Sequence, residues 1–223
     1  MRLHKLCAVL LSFTVTVTSL VYPSETKRVQ AAERETGFVG LDVKYHTQEQ
    51  IRDYYKSHPI KNMEAEFSEE PSVTMPYSPR KLTEETKQDA LNMLNLYRYV
   101  TGVPTVSISE TAQNYAQAAA LVTAINRDVS HVADQPDGMS DELYAQAVYG
   151  TANSNLAAGG NKLCGNILRY MLEKNGDLGS FGHRRQLLDY YCEEVGFGLA
   201  KSVSDGYYSA MEAGKFFMAR NLV

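Results

Sequence analysis

Gly179-Ser180-Phe181-Gly182-His183-Arg184-Arg185-Gln186-Leu187-Leu188 is the stretch around which the rest of this chain is arranged. A histidine stands between a glycine and two arginines, after a segment with helical periodicity and before a run that reads as strand. Glycine permits a tight bend and a close approach of backbone to whatever lies beneath it. The arginines set fixed planar charge beside an imidazole whose protonation follows its surroundings.

Downstream of this stretch, Val195-Gly196-Phe197-Gly198-Leu199-Ala200 and Tyr207-Tyr208-Ser209-Ala210-Met211 read as two strands joined across Ser204-Asp205-Gly206. Upstream, the pattern is helical. Thr83 caps a helix running to about Val100, with Glu84 and Glu85 favourably placed in its first turn, and Gly102 and Pro104 stop it. A second helix starts near Ser109, where Ala112, Ala116 and Ala120 make a smooth stripe for close packing. Ser140 caps a third helix ending by Gly150. The run Asn153 to Gly160 reads as a polar loop, and a fourth helix spans about Asn161 to Lys174. Helices first and a small antiparallel sheet last define the class as α+β.

Outside this domain, residues 1–31 have the order of a secretory signal: Arg2 and Lys5, an apolar run from Leu6 to about Val21, then small residues at Ala31 and Ala32. The run is short and rich in Ser and Thr for a membrane span of ~20 residues. Residues 32–81 read as an N-terminal extension or packed arm with one short helix, Thr47 to Ser57, whose Thr47 and Gln50 have capping-box spacing. The domain proper is 82–223. With Lys+Arg 22 against Asp+Glu 26, the chain has a formal charge of −4, and loss of the basic leader makes it more acidic. That argues against a nucleic-acid partner.

The domain holds two histidines, His131 and His183, each following a helix end, and Glu173 closes the helix before the second. Two imidazoles and a carboxylate suit either proton transfer or a borderline shell for Zn²⁺ or another divalent ion. A histidine at a helix end is more commonly a structural hydrogen-bonding residue. Arg184 and Arg185 either recognise an anionic ligand or pair with Asp189, Glu193 or Glu194. Cys164 and Cys192 flank the His183 stretch. A bridge between them would pin the helix to the first strand, and two buried thiols is the other reading. No His-Glu-x-x-His helix, Gly-x-Ser-x-Gly elbow or phosphate loop is present.

Several of these motifs, in order, resemble the CAP superfamily of cysteine-rich secretory, antigen 5 and pathogenesis-related 1 proteins. They are Asn95-Leu96-Tyr97-Arg98 with Gly102, the alanine-striped helix, Ser130-His131, Ser154-Asn155-Leu156-Ala157, and Gly182-His183-Arg184-Arg185 leading to Val195-Gly196-Phe197-Gly198. The likeness runs from about Leu82 to Met211 and extends to secreted bacterial members with a Gly-His-Arg-Arg motif. It implies an α-β-α sandwich and a central cleft in which many members bind a divalent ion such as zinc. On that resemblance His131, His183 and Glu173 line the cleft, with Ser154, Asn155 and Arg184 beside them. Ser154 takes a place that is acidic in the family. The residues after Met211 depart from the family pattern, which implies a last strand that is altered or incomplete.

The expectation is a secreted binding module for an extracellular protein, lipid or small molecule, without catalysis or a membrane anchor. The alternatives are a metal-dependent hydrolase using His131, His183 and Glu173, and a degenerate domain whose cleft has no function.

Overall fold

In the computed structural model, which describes residues 40–173, 181–204 and 206–214, the N-terminal arm is fastened to the domain by rings and backbone. Helix α1 (Gln48–Ser57) opens with the expected capping box: Gln50 N–H donates to Thr47 Oγ1 at 3.2 Å, and Thr47 N–H to Gln50 Oε1 at 2.8 Å. It buries no residue. Instead His46, Tyr99, Tyr54 and His58 stack in sequence, with ring centroids 3.6, 4.1 and 4.2 Å apart.

The acidic stretch that follows has no periodicity, yet it packs. Buried Asp89 accepts the backbone N–H of Lys61 at 2.6 Å and of Met63 at 3.0 Å. Strands β1 (Phe67–Glu69) and β2 (Lys81–Leu82) form an antiparallel ribbon. This is an arm bound by hydrogen bonds to groups of the domain, which is why its own hydropathy does not announce it.

Helix α2 (Glu84–Thr101) begins at Thr83, whose hydroxyl accepts Thr86 N–H, and ends at Gly102 in the left-handed region with φ 78°. From its inner face Asn95 pairs both ways with Val106, at 2.9 Å each, fixing the entry to β3 (Ser107–Ile108). Then follow α3 (Glu110–Asn126), capped by Ser109, and α4 (Asp141–Asn153), capped by Ser140. Residues 154–159, read above as a polar loop, form strand β4 (Ser154–Gly159), which follows α4 without an intervening turn. Pairing with the last strand overrides its weak local signal. Helix α5 (Leu163–Leu172) is shorter than expected.

Gly182 to Leu187, expected as a bend leading into strand, is instead the short helix α6 (Gly182–Leu187). Strands β5 (Glu194–Lys201) and β6 (Tyr207–Gly214) complete the described chain. Residues 1–31, read above as a secretory signal, and residues 215–223 lie outside the described residues. Among the described residues no helix is long and apolar enough to cross a membrane.

The main sheet has the order β3-β5-β6-β4, antiparallel except for the β3–β5 pair, so it is mixed rather than wholly antiparallel. The expected weakness of the last strand is not seen within the described residues. β6 is paired to β5 through Gly214 and to β4 through Glu212. One face carries Phe197, Leu199 and Met211 against Ala90 and Leu94 of α2 and Ile167 and Tyr170 of α5. The other carries Leu156, Ala200 and Ala210 against Ala119, Ala120 and Ala124 of α3. The class is α+β, with the sheet between two helical layers.

The edge of β5 beyond the short β3 is closed in an unusual way. Gln117 Nε2 donates to Leu199 O at 2.8 Å while its Oε1 accepts Leu199 N–H at 3.1 Å. Gln113 does the same for Phe197. Two helical side chains thus stand where a neighbouring strand would be, leaving no open ladder there. They reach because Gly196 and Gly198 let α3 lie directly on β5. A Cβ at either position would fall inside contact distance of the Ala112 or Ala116 carbonyl.

Candidate functional site

The site is assembled where α6, the end of α5 and the junction of α4 with β4 meet. Phe181, the residue before α6, has no capping side chain and holds φ 47°. Glu173 takes over the cap from a distance: its Oε1 accepts Arg184 N–H at 2.9 Å in the first turn of α6. A carboxylate there also meets the positive end of the helix. Glu173 is 5% exposed and ends α5 in the left-handed region at φ 46°, its own N–H donating to Arg169 O. The same oxygen lies 3.6 Å from His183 Nδ1.

His183 is half-buried and stacks on Tyr170 at 5.3 Å. Burial pulls its pKa down, Glu173 opposes this, and His131 adds to the lowering. The imidazole is therefore biased toward its neutral form. The backbone of α6 is pinned from below: Asn155 Nδ2 donates to His183 O at 3.2 Å, and Gln186 Nε2 to Asn153 O at 2.6 Å. Among the described residues Arg184 pairs with no acid; its Nε donates to Met171 O at 2.7 Å, and its guanidinium lies over Phe181 at 4.9 Å.

His131 comes from the loop after α3. Its Nδ1 is 2.7 Å from Thr151 O, and since a carbonyl only accepts, Nδ1 carries a proton; in the neutral ring this makes Nε2 the acceptor. His131 lines an open cleft of about 340 Å³ with Asn153, Ser154, Arg185, Gln186 and Asp189. The expected residues are thus divided. His131 and Ser154 line the cleft, while His183, Glu173, Asn155 and Arg184 build the support under α6. Gln186, Arg185 and Asp189 were not singled out as cleft residues from sequence. Arg185 and Gln186 lie in α6 and Asp189 just past its C-cap, so the helical reading of 182–187 is the signal that groups them.

The donors do not fit a metal as they stand. Among the described residues no three His, Cys, Asp or Glu side chains gather at one point. Glu173 Oε1 is committed to the α6 backbone and Ser154 is neutral. A zinc centre needs at least three protein ligands converging. Ser154 is also no activated nucleophile, because its Oγ is buried and has no hydrogen-bond partner among the described residues.

The proposed bridge between Cys164 and Cys192 is corrected. Both are free and buried. Cys164 Sγ donates to Asp89 Oδ2 at 3.3 Å, and Cys192 Sγ to Glu194 O at 3.4 Å, so each thiol has its own acceptor in a separate part of the core.

Directly across the ladder from Ser154 stands Glu212, 2% exposed, with Oε2 buried and unpartnered among the described residues. Burial, reinforced by the Glu194 carboxylate, pushes its pKa up to about 7. A raised folded-state pKa means the native chain holds this proton more tightly than the unfolded chain, whose carboxyl titrates near 4.5. The stabilisation is complete below that value and is lost as pH rises through about 7. Urea unfolding is expected to show stability falling by about 3 kcal/mol across that window. Glu212→Gln should flatten the profile, and an unchanged slope in that variant would refute the assignment.

The family described as "CAP: Cysteine-rich secretory protein family" matches residues 91–218. No curated protein matches the chain. Among solved structures, an outer surface protein of Borrelia burgdorferi is 16% identical, covers 60% of this chain and 96% of its own, and superposes with a TM-score of 0.40. An extracellular protein of Bacillus anthracis containing an SCP domain is also 16% identical, covers 78% of this chain and 75% of its own, with a TM-score of 0.37. The family match spans more than half of the sequence, from the middle of α2 past the end of β6: this chain belongs to the cysteine-rich secretory protein, or CAP, family.

Proposed function

We propose that this chain is an exported CAP protein that binds a polar ligand, or a polar side chain of an extracellular partner, in the cleft at His131, without transforming it. The observation that carries this reading is the pairing of His131 Nδ1 with Thr151 O. It holds one imidazole at the cleft with Nε2 ready to accept, beside Arg185 and Asp189 of opposite charge. Such a set offers an acceptor, a cation and an anion in one recess, which is recognition chemistry. The support for a non-catalytic reading is that Ser154 lacks a base and Glu173 is engaged as a helix cap.

Export is supported by the order of charged, apolar and small residues in 1–31. The test is zinc calorimetry together with imidazole NMR on wild type, His131→Ala and His183→Ala. The expected result is no stoichiometric zinc binding by wild type. A panel of acetate, phosphate, amines and lipid headgroups should meanwhile shift His131 resonances in a saturable way. Zinc-dependent hydrolysis of a peptide or ester panel that disappears in His131→Ala would overturn the reading in favour of a hydrolase.

A further inference from the structure

The cleft at His131 holds two full charges of opposite sign that do not neutralise each other. Arg185 lies in α6 and Asp189 just past its C-cap, four residues apart, a spacing at which side chains can pair. Both line the cleft, Arg185 exposed and Asp189 half-buried. Among the described residues no ion pair includes either of them. We propose, resting on the reading of this cleft as a binding site, that its ligand is a small zwitterion of the amino-acid class. Its carboxylate pairs with Arg185 and its ammonium with Asp189.

The hydrogen-bonding capacity left over in the cleft matches such a guest group by group. An ammonium brings three donors and no acceptor. The lining offers it three acceptors. One Asp189 oxygen takes Tyr191 N–H at 2.8 Å, and the other has no partner among the described residues. His131 Nε2 accepts in the neutral ring, because Nδ1 serves Thr151 O. Gln186 Oε1 is left over, because Nε2 donates to Asn153 O. A carboxylate brings only acceptors, in a plane, and the Arg185 guanidinium presents the planar fork that fits it.

Charge and size exclude the simpler guests. An anion alone would sit beside the unneutralised carboxylate of Asp189, and a cation alone beside the guanidinium of Arg185. Either arrangement sets like charges near each other, which disfavours both classes. Residues four apart at a helix end have Cβ atoms about 5–6 Å apart, so the two charges of the guest must be joined through few atoms. The cleft volume of about 340 Å³ lies at the low end of small-molecule sites, roughly 300–1,000 Å³. Ala152 and Gly182, the small residues of the lining, leave room for a carbon skeleton.

The test uses the full chain, labelled with nitrogen-15, and four probes. L-alanine carries both charges, N-acetylalanine only the carboxylate, alaninamide only the ammonium, and 6-aminohexanoate both charges far apart. Alanine is expected to move the His131 imidazole and Gln186 carboxamide signals in a saturable way. The other three should bind about tenfold more weakly or worse. Arg185→Gln should weaken alanine by about tenfold without weakening alaninamide. Asp189→Asn, which keeps an oxygen for Tyr191 N–H, should weaken alanine without weakening N-acetylalanine. A variant that weakens every probe alike has lost structure and not a charge contact, and that pattern in both variants would overturn the assignment. Equal binding of alanine and either single-charge probe would sink the zwitterion and leave the polar cleft standing. If alanine moves neither signal at about 10 mM, the zwitterion fails. Silence from acetate, phosphate and amines as well would end the reading of the cleft itself.

Discussion

Replacing Arg98 by methionine is expected to lower stability by about 3–5 kcal/mol, among the largest effects of any single side chain here. Arg98 has no exposed surface. Its Nε donates to Pro104 O at 2.6 Å, Nη1 to Leu187 O at 2.6 Å, and Nη2 to Asp189 O at 2.9 Å and Cys192 O at 3.3 Å. One guanidinium thus ties α2 to the whole connection between α6 and β5. Burial pulls its pKa down, with the Cys192 and Asp189 side chains opposing, yet a guanidinium stays charged.

Methionine fills much of the volume but takes the donor from the Pro104, Leu187 and Cys192 carbonyls, at about 1 kcal/mol or more each, while Asp189 O keeps the Cys192 N–H at 3.2 Å. Lysine should rescue little, since a single ammonium cannot reproduce the fork. The effect should be visible at the cleft too: Leu187 is the last residue of α6, so loosening it moves His183 and Gln186. Urea unfolding measures the loss, and imidazole NMR of His183 measures the displacement. A midpoint within about 1 kcal/mol of wild type would show that the carbonyls find water instead.

The second large effect is expected at Gly198. Alanine there would place its Cβ against the Ala116 carbonyl, and alanine at Gly196 would meet the Ala112 carbonyl and the Gln113 nitrogen. These are backbone atoms of α3, so no side-chain rotation relieves the clash. The helix must retreat, and in doing so it withdraws Gln113 and Gln117 from β5. Each substitution should destabilise by about 3 kcal/mol, overpacking and lost amide pairs together. The double variant should lose less than the sum, because one retreat of α3 accommodates both. Gly160→Ala, where a Cβ meets nothing within 4 Å, serves as the control and should stay within about 0.5 kcal/mol of wild type. Thermal unfolding of the four variants decides it, and equal melting temperatures for Gly198→Ala and Gly160→Ala would show that α3 is not seated as described.

The two predictions rest on features that differ in how visible they are in the chain itself. Gly196 and Gly198 alternate within a strand pattern, and Ala112, Ala116 and Ala120 recur at helical spacing. Both marks of close helix-on-sheet packing are therefore written in the residue order. The caps at Thr47, Thr83, Ser109 and Ser140 are equally local, and all four hold in the structure. Arg98 is different. Nothing near it in sequence says that its partners lie about 90 residues away, at Leu187, Asp189 and Cys192.

The sequence by itself determined the α+β class, the order of helices before the hairpin, the helix starts, and the close seating of one helix on the sheet. These follow from periodicity, capping and residue size, which act over a few residues. Only the tertiary structure decided that 154–159 is a strand, since Ser154 to Gly159 are extended by pairing with Tyr207 to Glu212 and not by their own propensity. It also made the Gly-His-Arg-Arg run a helix, because a carboxylate from Glu173 supplies the cap that Phe181 lacks. It separated Cys164 from Cys192 by giving each thiol a different acceptor. And it set Glu212 opposite Ser154, a buried acid that only the strand register could bring there. In each case the deciding partner is distant along the chain, and its free energy outweighs the local preference that a sequence displays.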